Sequence, residues 1–102
     1  MSNPLEKEIE QKLKRVVEER LGGLCLKWVC PGWSGVPDRI LLFPGGRVYF
    51  VELKRPKGGK VGALQKWWQR RLGGLGFTVW HIYDTTQLTH LELVLTDELA
   101  GK

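Results

Sequence analysis

An α/β fold with a mixed β-sheet flanked by helices, in the order α-β-β-β-α-β, is predicted by three features of the chain. The first is an opening segment with apolar residues at helical spacing. The second is a pair of β-rich runs separated by Pro44-Gly45-Gly46, and the third is a helix-period segment standing between the second of those runs and a later alternating one. With 102 residues there is room for one domain, 1–102, and its 42% hydrophobic content excludes wholesale disorder.

Each element has its own warrant. Leu5, Ile9, Leu13, Val16, Val17 and Leu21 repeat at helical spacing among charged residues. Ser2 or Asn3 suits the cap, Pro4 the first turn, and Gly22-Gly23 the stop. Leu24 to Val29 reads as a short strand, and residues 31–37 (PGWSGVP) as a rigid, turn-rich connection. Arg39–Phe43 and Arg47–Leu53 form a hairpin across Pro44-Gly45-Gly46. Residues 55–60 are a basic loop. Leu64, Trp67, Trp68 and Leu72 then place a second helix over Gly62 to Leu72, ended by Gly73-Gly74. Phe77–Tyr83 alternates as a strand, and a short helix or strand around Leu88 to Leu95 closes the domain. A helix between two strands permits a parallel crossover, so the sheet is expected to be mixed.

Sixteen Lys and Arg against eleven Asp and Glu give a net charge of +5, which favours polyanionic partners. No run is long enough to span a membrane, and Met1-Ser2-Asn3-Pro4 lacks the order of a signal peptide, so a cytoplasmic protein without a membrane partner is expected. Cys25 and Cys30, with only His81 and His90 elsewhere, match no zinc or redox spacing and read as reduced, structural thiols. No Ser-His-Asp or Cys-His arrangement is evident, and nothing calls for a small organic cofactor.

The chemistry concentrates between Gly35 and Lys54. Side chains two apart on a strand share a face, so Glu52 and Lys54 point together, away from Val51 and Leu53. Val48-Tyr49-Phe50-Val51 is apolar enough for a central strand, and a buried carboxylate and ammonium cost several kcal/mol there unless something pairs them. Asp38 heads the strand across the hairpin, and counting back through the turn sets its carboxylate beside Glu52. Two carboxylates, the Leu53 carbonyl and waters are the hard oxygen ligands that Mg²⁺ prefers. Lys54 beside them is placed to orient an attacking water or to steady negative charge on a phosphate.

Pro37-Asp38 followed by Glu52-Leu53-Lys54 resembles the PD-(D/E)XK nuclease superfamily. The fuller pattern Gly35-Val36-Pro37-Asp38-Arg39, Val51-Glu52-Leu53-Lys54 and Gln65 is similar to the VRR-NUC family in its small, standalone, phage-type form. The resemblance implies a restriction-endonuclease-like core and a Mg²⁺-dependent DNA nuclease, with Mn²⁺ as substitute. It implies that Asp38 and Glu52 hold metal, that Lys54 is the catalytic lysine and that Gln65 supports the site. It also implies a metal-proximal glutamate on the first helix, for which Glu6, Glu8 and Glu10 compete. Glu6 is favoured because its spacing to Ile9 matches the family pattern. Standalone members resemble Holliday-junction resolvases and act as homodimers, which suits a two-fold substrate.

Arg39, Arg55, Lys57, Lys60, Lys66 and Arg70 are the expected DNA contacts, within a basic series that runs on to Arg71. Trp67 and Trp68 cannot both face one core from the same helix, and Trp33 near the site is a candidate for base stacking. The bland readings are an edge-strand ion pair for Glu52 and Lys54, a turn residue for Asp38 and a solvated basic face for the cations. The expected function is a structure-selective endonuclease of four-way junctions. Flap, nicked or linear duplex DNA are alternative substrates, and a non-catalytic DNA-binding module is the alternative of another class.

Overall fold

The computed structural model describes residues 4–54 and 62–101, without the side chains of 4–6. Helix α1 (Pro4–Arg15) runs directly into a π-helical turn, Val16–Arg20, in which the Leu21 amide donates to the Val16 carbonyl at 3.0 Å. The wider turn brings the consecutive Val16 and Val17 both inward, which an unbroken 3.6-residue period does less well. Strands β1 (Leu24–Lys27), β2 (Arg39–Phe43) and β3 (Arg47–Leu53) follow, then α2 (Ala63–Gly74), β4 (Thr78–Ile82) and α3 (Thr85–Ala100).

The four strands lie in the order β1-β2-β3-β4. The first two pairings are antiparallel, and β3 pairs β4 in parallel through the α2 crossover, so the sheet is mixed as expected. Gly45 and Gly46 both have positive φ, 82° and 75°, the backbone that a tight hairpin connection requires and glycine supplies without strain. Strand β3 is interior, with β2 on one side and β4 on the other.

One open alternative is settled and one boundary is corrected. The closing segment is a 16-residue helix, capped by the Asp84 side chain, which accepts from the Gln87 amide at 3.1 Å. Its leucines Leu88, Leu91 and Leu95 recur at i, i+3 and i+7 and are all buried, a stripe that decides for helix over strand. The second helix includes Gly73 and Gly74 rather than ending at them, and the chain turns at Leu75 and Gly76.

One face of the sheet meets α1, the π turn and α3. Ile9, Leu13 and Val17 pack there with Leu41, Phe43, Val51, Leu53, Ile82, Leu91 and Leu95. The opposite face carries Phe50, whose ring meets Trp28 at 4.7 Å and Phe77 at 5.6 Å, while Leu24 and Leu26 of β1 stay exposed. Cys25 and Cys30 are free, and Cys25 is buried. Among the described residues no helix is long and apolar enough to cross a membrane.

Candidate active site

The antiparallel register that matches Arg39 with Val51 sets the preceding Asp38 opposite Glu52. Asp38 is held at the strand entrance by its backbone, whose carbonyl accepts from the Trp28 amide at 2.9 Å. Its Oδ1 accepts from the Leu53 amide at 3.3 Å, so the carboxylate leans across the end of β3. The loop leading into it is pinned from the other side. Gly35 has φ +79°, and a Cβ there would lie 2.7 Å from Leu64 Cγ on α2. Only glycine combines that backbone with that approach.

Glu52 and Lys54 are buried at the end of the interior strand, their side chains 11% and 10% exposed, whereas the Asp38 side chain is 38% exposed. Lys54 Nζ stands 3.8 Å from Glu52 Oε2 and donates to Gln65 Oε1. Gln65 Nε2 donates to Glu52 Oε2 at 2.8 Å, and Gln65 Oε1 accepts from the Gly62 amide at 3.1 Å. The glutamine therefore does two things at once. It reaches back to the first turn of its own helix and ties that helix to both ends of the ion pair on β3.

One atom is left over. Glu52 Oε1 is buried without a hydrogen-bond partner, and an unsatisfied carboxylate oxygen carries a large desolvation cost. Burial first, and then the Asp38 carboxylate, push Glu52 up to about 7, while Lys54 pulls the other way. A buried acid facing a second carboxylate, with one oxygen idle, is the electrostatic complement of a cation. The donor set fits Mg²⁺ or Mn²⁺ in kind, being oxygen throughout. Among the described residues no group of three or more His, Cys, Asp or Glu gathers to hold a metal, so the described acidic pair is Asp38 and Glu52.

The other expected site residues divide. Gln65 joins the cluster. The Glu6 side chain, Arg55, Lys57 and Lys60 lie outside the described residues. Of the competing acids on α1, Glu8 is exposed and Glu10 accepts from Arg39 Nη2. Lys66 and Arg70 are exposed on α2. Arg39 is corrected: expected as a DNA contact, it is buried, donating to Glu10 and, at 2.8 Å, to the Asp38 carbonyl. Its place as the first residue of β2, facing the α1 layer with Leu41 and Phe43, draws the guanidinium inward.

His81 was not expected at the site. The parallel register sets it opposite Glu52, and burial, then the Lys54 ammonium, hold it below the usual imidazole value. No local sequence signal announces this neighbour, because it arises from pairing across the crossover.

The fold agrees with comparisons to known proteins. The chain is 42% identical over 74 residues to "Putative nuclease p44" of Acyrthosiphon pisum secondary endosymbiont phage 1, a match that takes in 72% of this chain and 77% of that protein. A solved structure described as a VRR_NUC domain superposes with a TM-score of 0.75 at 30% identity, over 87% of this chain and 95% of that one. No family model matches the chain.

Proposed function

The chain belongs to the VRR-NUC nuclease family, and from that premise we propose that it is a divalent-metal-dependent, structure-selective DNA endonuclease acting on branched DNA such as four-way junctions. The observation that carries the reading is the idle Oε1 of Glu52, buried opposite Asp38 in a carboxylate pushed up to about 7. Asp38, Glu52 and the Leu53 carbonyl would hold Mg²⁺, or Mn²⁺ in its place, with Glu6 as the acid contributed by α1. Such a cation supplies neutralisation of phosphate charge and activation of water at neutral pH.

The chain's own groups do the rest. Lys54, fixed by Gln65 and paired with Glu52, presents an ammonium to the phosphate and steadies the charge that grows on its non-bridging oxygens. Water attacks phosphorus, the bond to the 3′ oxygen breaks, and a 5′-phosphate and a 3′-hydroxyl result. Asp38, the more exposed of the two acids, is on the side from which DNA approaches. Arg55, Lys57, Lys60, Lys66 and Arg70 contact the phosphate backbone outside the cut.

A homodimer matches the two-fold symmetry of a four-way junction, and the exposed Leu24 and Leu26 on the sheet face away from α1 are apolar surface suited to a second copy. The enzyme works in the cytoplasm of a bacterial or phage-infected cell, where branched DNA arises.

The test is cleavage of end-labelled four-way junction, flap and linear duplex DNA with Mg²⁺ or Mn²⁺ against a chelator, beside Asp38→Asn. Paired incisions at the junction that need metal and vanish in the variant are expected. Metal-independent cutting, or full activity in Asp38→Asn, would overturn the assignment.

A further inference from the structure

Helix α2 turns two surfaces outward, and only one of them belongs to the cluster around Glu52. Gln65 faces the ion pair. Leu64, Trp67 and Trp68, at i, i+3 and i+4, form a second stripe that meets the loop before Asp38. Trp68 Nε1 donates to the Ser34 carbonyl at 2.9 Å, its ring lies 5.8 Å from Trp33 at 79° and 5.1 Å from Trp67 at 88°. Trp68 is thus the fixed centre of a three-tryptophan shelf. The two outer members are open, Trp33 at 64% and Trp67 at 43% exposed, and with Leu64 and Arg70 they line one cleft.

Exposed indoles of this extent are costly on a surface with no partner. The charge around them says what kind of partner fits. Helix α2 carries Lys66, Arg70 and Arg71 and no acidic residue, and Trp67 shares a second groove with Arg70 and Arg71. Open π faces bordered by cations, with no anion among them, complement a ligand that is anionic along its length and flat and aromatic at intervals. A single strand of nucleic acid is such a ligand. Base pairs within a duplex are stacked on both faces and offer no free ring to an indole.

Continuity with the cutting site is built into the chain. Leu64 underlies Gly35, three residues before Asp38, and adjoins Gln65. The shelf and the Glu52 cluster therefore occupy neighbouring sides of one helix about 10–12 Å across, within the reach of one or two nucleotides. We propose that the Trp33–Trp68–Trp67 shelf stacks an unpaired base of the DNA strand beside the scissile phosphate, so that the substrate is DNA with unpaired nucleotides at the cut. The proposal rests on the nuclease reading for its placement and sharpens it for substrate, because an open branch point or a fork with single-stranded arms satisfies the shelf and a blunt duplex does not.

The experiment uses the full chain carrying Asp38→Asn, so that bound DNA stays intact, with Trp33→Leu and Trp67→Leu added singly. The probes are a fork with 2-aminopurine in an unpaired arm and a blunt duplex of the same length. The expected result is quenching of the 2-aminopurine on binding, a loss of fork affinity of about tenfold in each leucine variant, and duplex affinity unchanged. The salt dependence of fork binding should keep its slope, since an indole releases no counterions. Equal fork affinity in the variants, or equal losses on fork and duplex, would overturn the shelf. So would sedimentation showing that Trp67→Leu dissociates a dimer while fork binding is untouched, which makes the tryptophans a contact between copies. Cleavage by the chain with native Asp38 in Mg²⁺ reads the other question separately. Cutting that persists with native fork preference in Trp33→Leu and Trp67→Leu removes the shelf and keeps the nuclease, and quenching without any cutting keeps the shelf and removes the nuclease.

Discussion

The two faces of the sheet solve opposite problems with the same strands. The face toward α1 and α3 is closed and, apart from the buried Arg39, apolar, built on Leu13, Leu41, Val51, Ile82, Leu91 and Leu95, each of which contributes to stability by leaving water. The other face spends stability. It buries Glu52 and Lys54 at one end, leaves one carboxylate oxygen idle, and exposes Leu24 and Leu26 on the edge strand β1. Strand β3 serves both, with Val51 and Leu53 on the first face and Glu52 on the second. The contrast teaches that burial alone does not mark a core residue, since Glu52 is about as buried as its neighbours and its environment is arranged against its own charge.

Neutralising the functional face is the strongest way to break the contrast. Glu52→Gln is expected to lower the rate of metal-dependent cleavage by about a thousandfold, while the midpoint of thermal unfolding without metal stays equal or rises. Single-turnover rates and melting curves of one preparation check both halves, and a variant that melts far lower would place Glu52 with the structural core instead.

The apolar face should give the reverse. Leu91→Ala, at a fully buried position, is expected to cost about 3 kcal/mol of unfolding free energy, read by urea denaturation, with the cleavage rate per folded molecule kept within about twofold. A selective loss of activity in this variant would mean that the two faces are coupled.

A third prediction uses pH. Glu52 is raised from 4.5 to about 7 in the folded chain, so the folded state holds its proton more tightly than the unfolded one. Its contribution to stability is then complete below about 4.5 and is lost as pH rises to about 7. The loss should be about 2 kcal/mol, less than the shift alone converts to, because the Asp38 side of the pair is open to water. Urea denaturation in chelator at pH 5 and pH 8 measures it, Glu52→Gln should flatten the difference, and Mg²⁺ should stabilise more at pH 8 than at pH 5. Equal slopes in both proteins would contradict the burial of a strained acid.

The smallest effect concerns the thiols. Burial, followed by Glu18, pushes Cys25 up to about 11, and its side chain belongs to the closed face. In the native protein at pH 8 an aromatic disulfide reagent should release one equivalent quickly, from Cys30, and the second only with unfolding. Cys30→Ser should abolish the fast phase.

Much of this was legible in the chain because it depends on local pattern. Helical spacing in α1, the Pro-Gly-Gly hairpin, the interior character of Val48–Val51 and the sharing of a face by Glu52 and Lys54 follow from periods of 3.6 and 2.0 acting on apolar and charged residues. The pairing of Asp38 with Glu52 was also countable, since a tight hairpin fixes register. The helical nature of Thr85–Ala100 was ambiguous over the short window Leu88–Leu95, where apolar content suits either element, and the Asp84 cap and the third buried leucine of the stripe resolve it.

What the amino-acid sequence determined by itself is thus α1, the four strands, α2, the hairpin register and the carboxylate pair with its lysine, all fixed by interactions between residues near in the chain. Tertiary structure alone decided which cations face solvent, turning Arg39 inward to Glu10. It also brought His81 opposite Glu52 across the crossover and gathered Trp33, Trp67 and Trp68 into one shelf. The physical reason is that these outcomes depend on which layer each strand face meets and on how a 12-residue helix docks, and both are settled by packing between segments far apart in sequence.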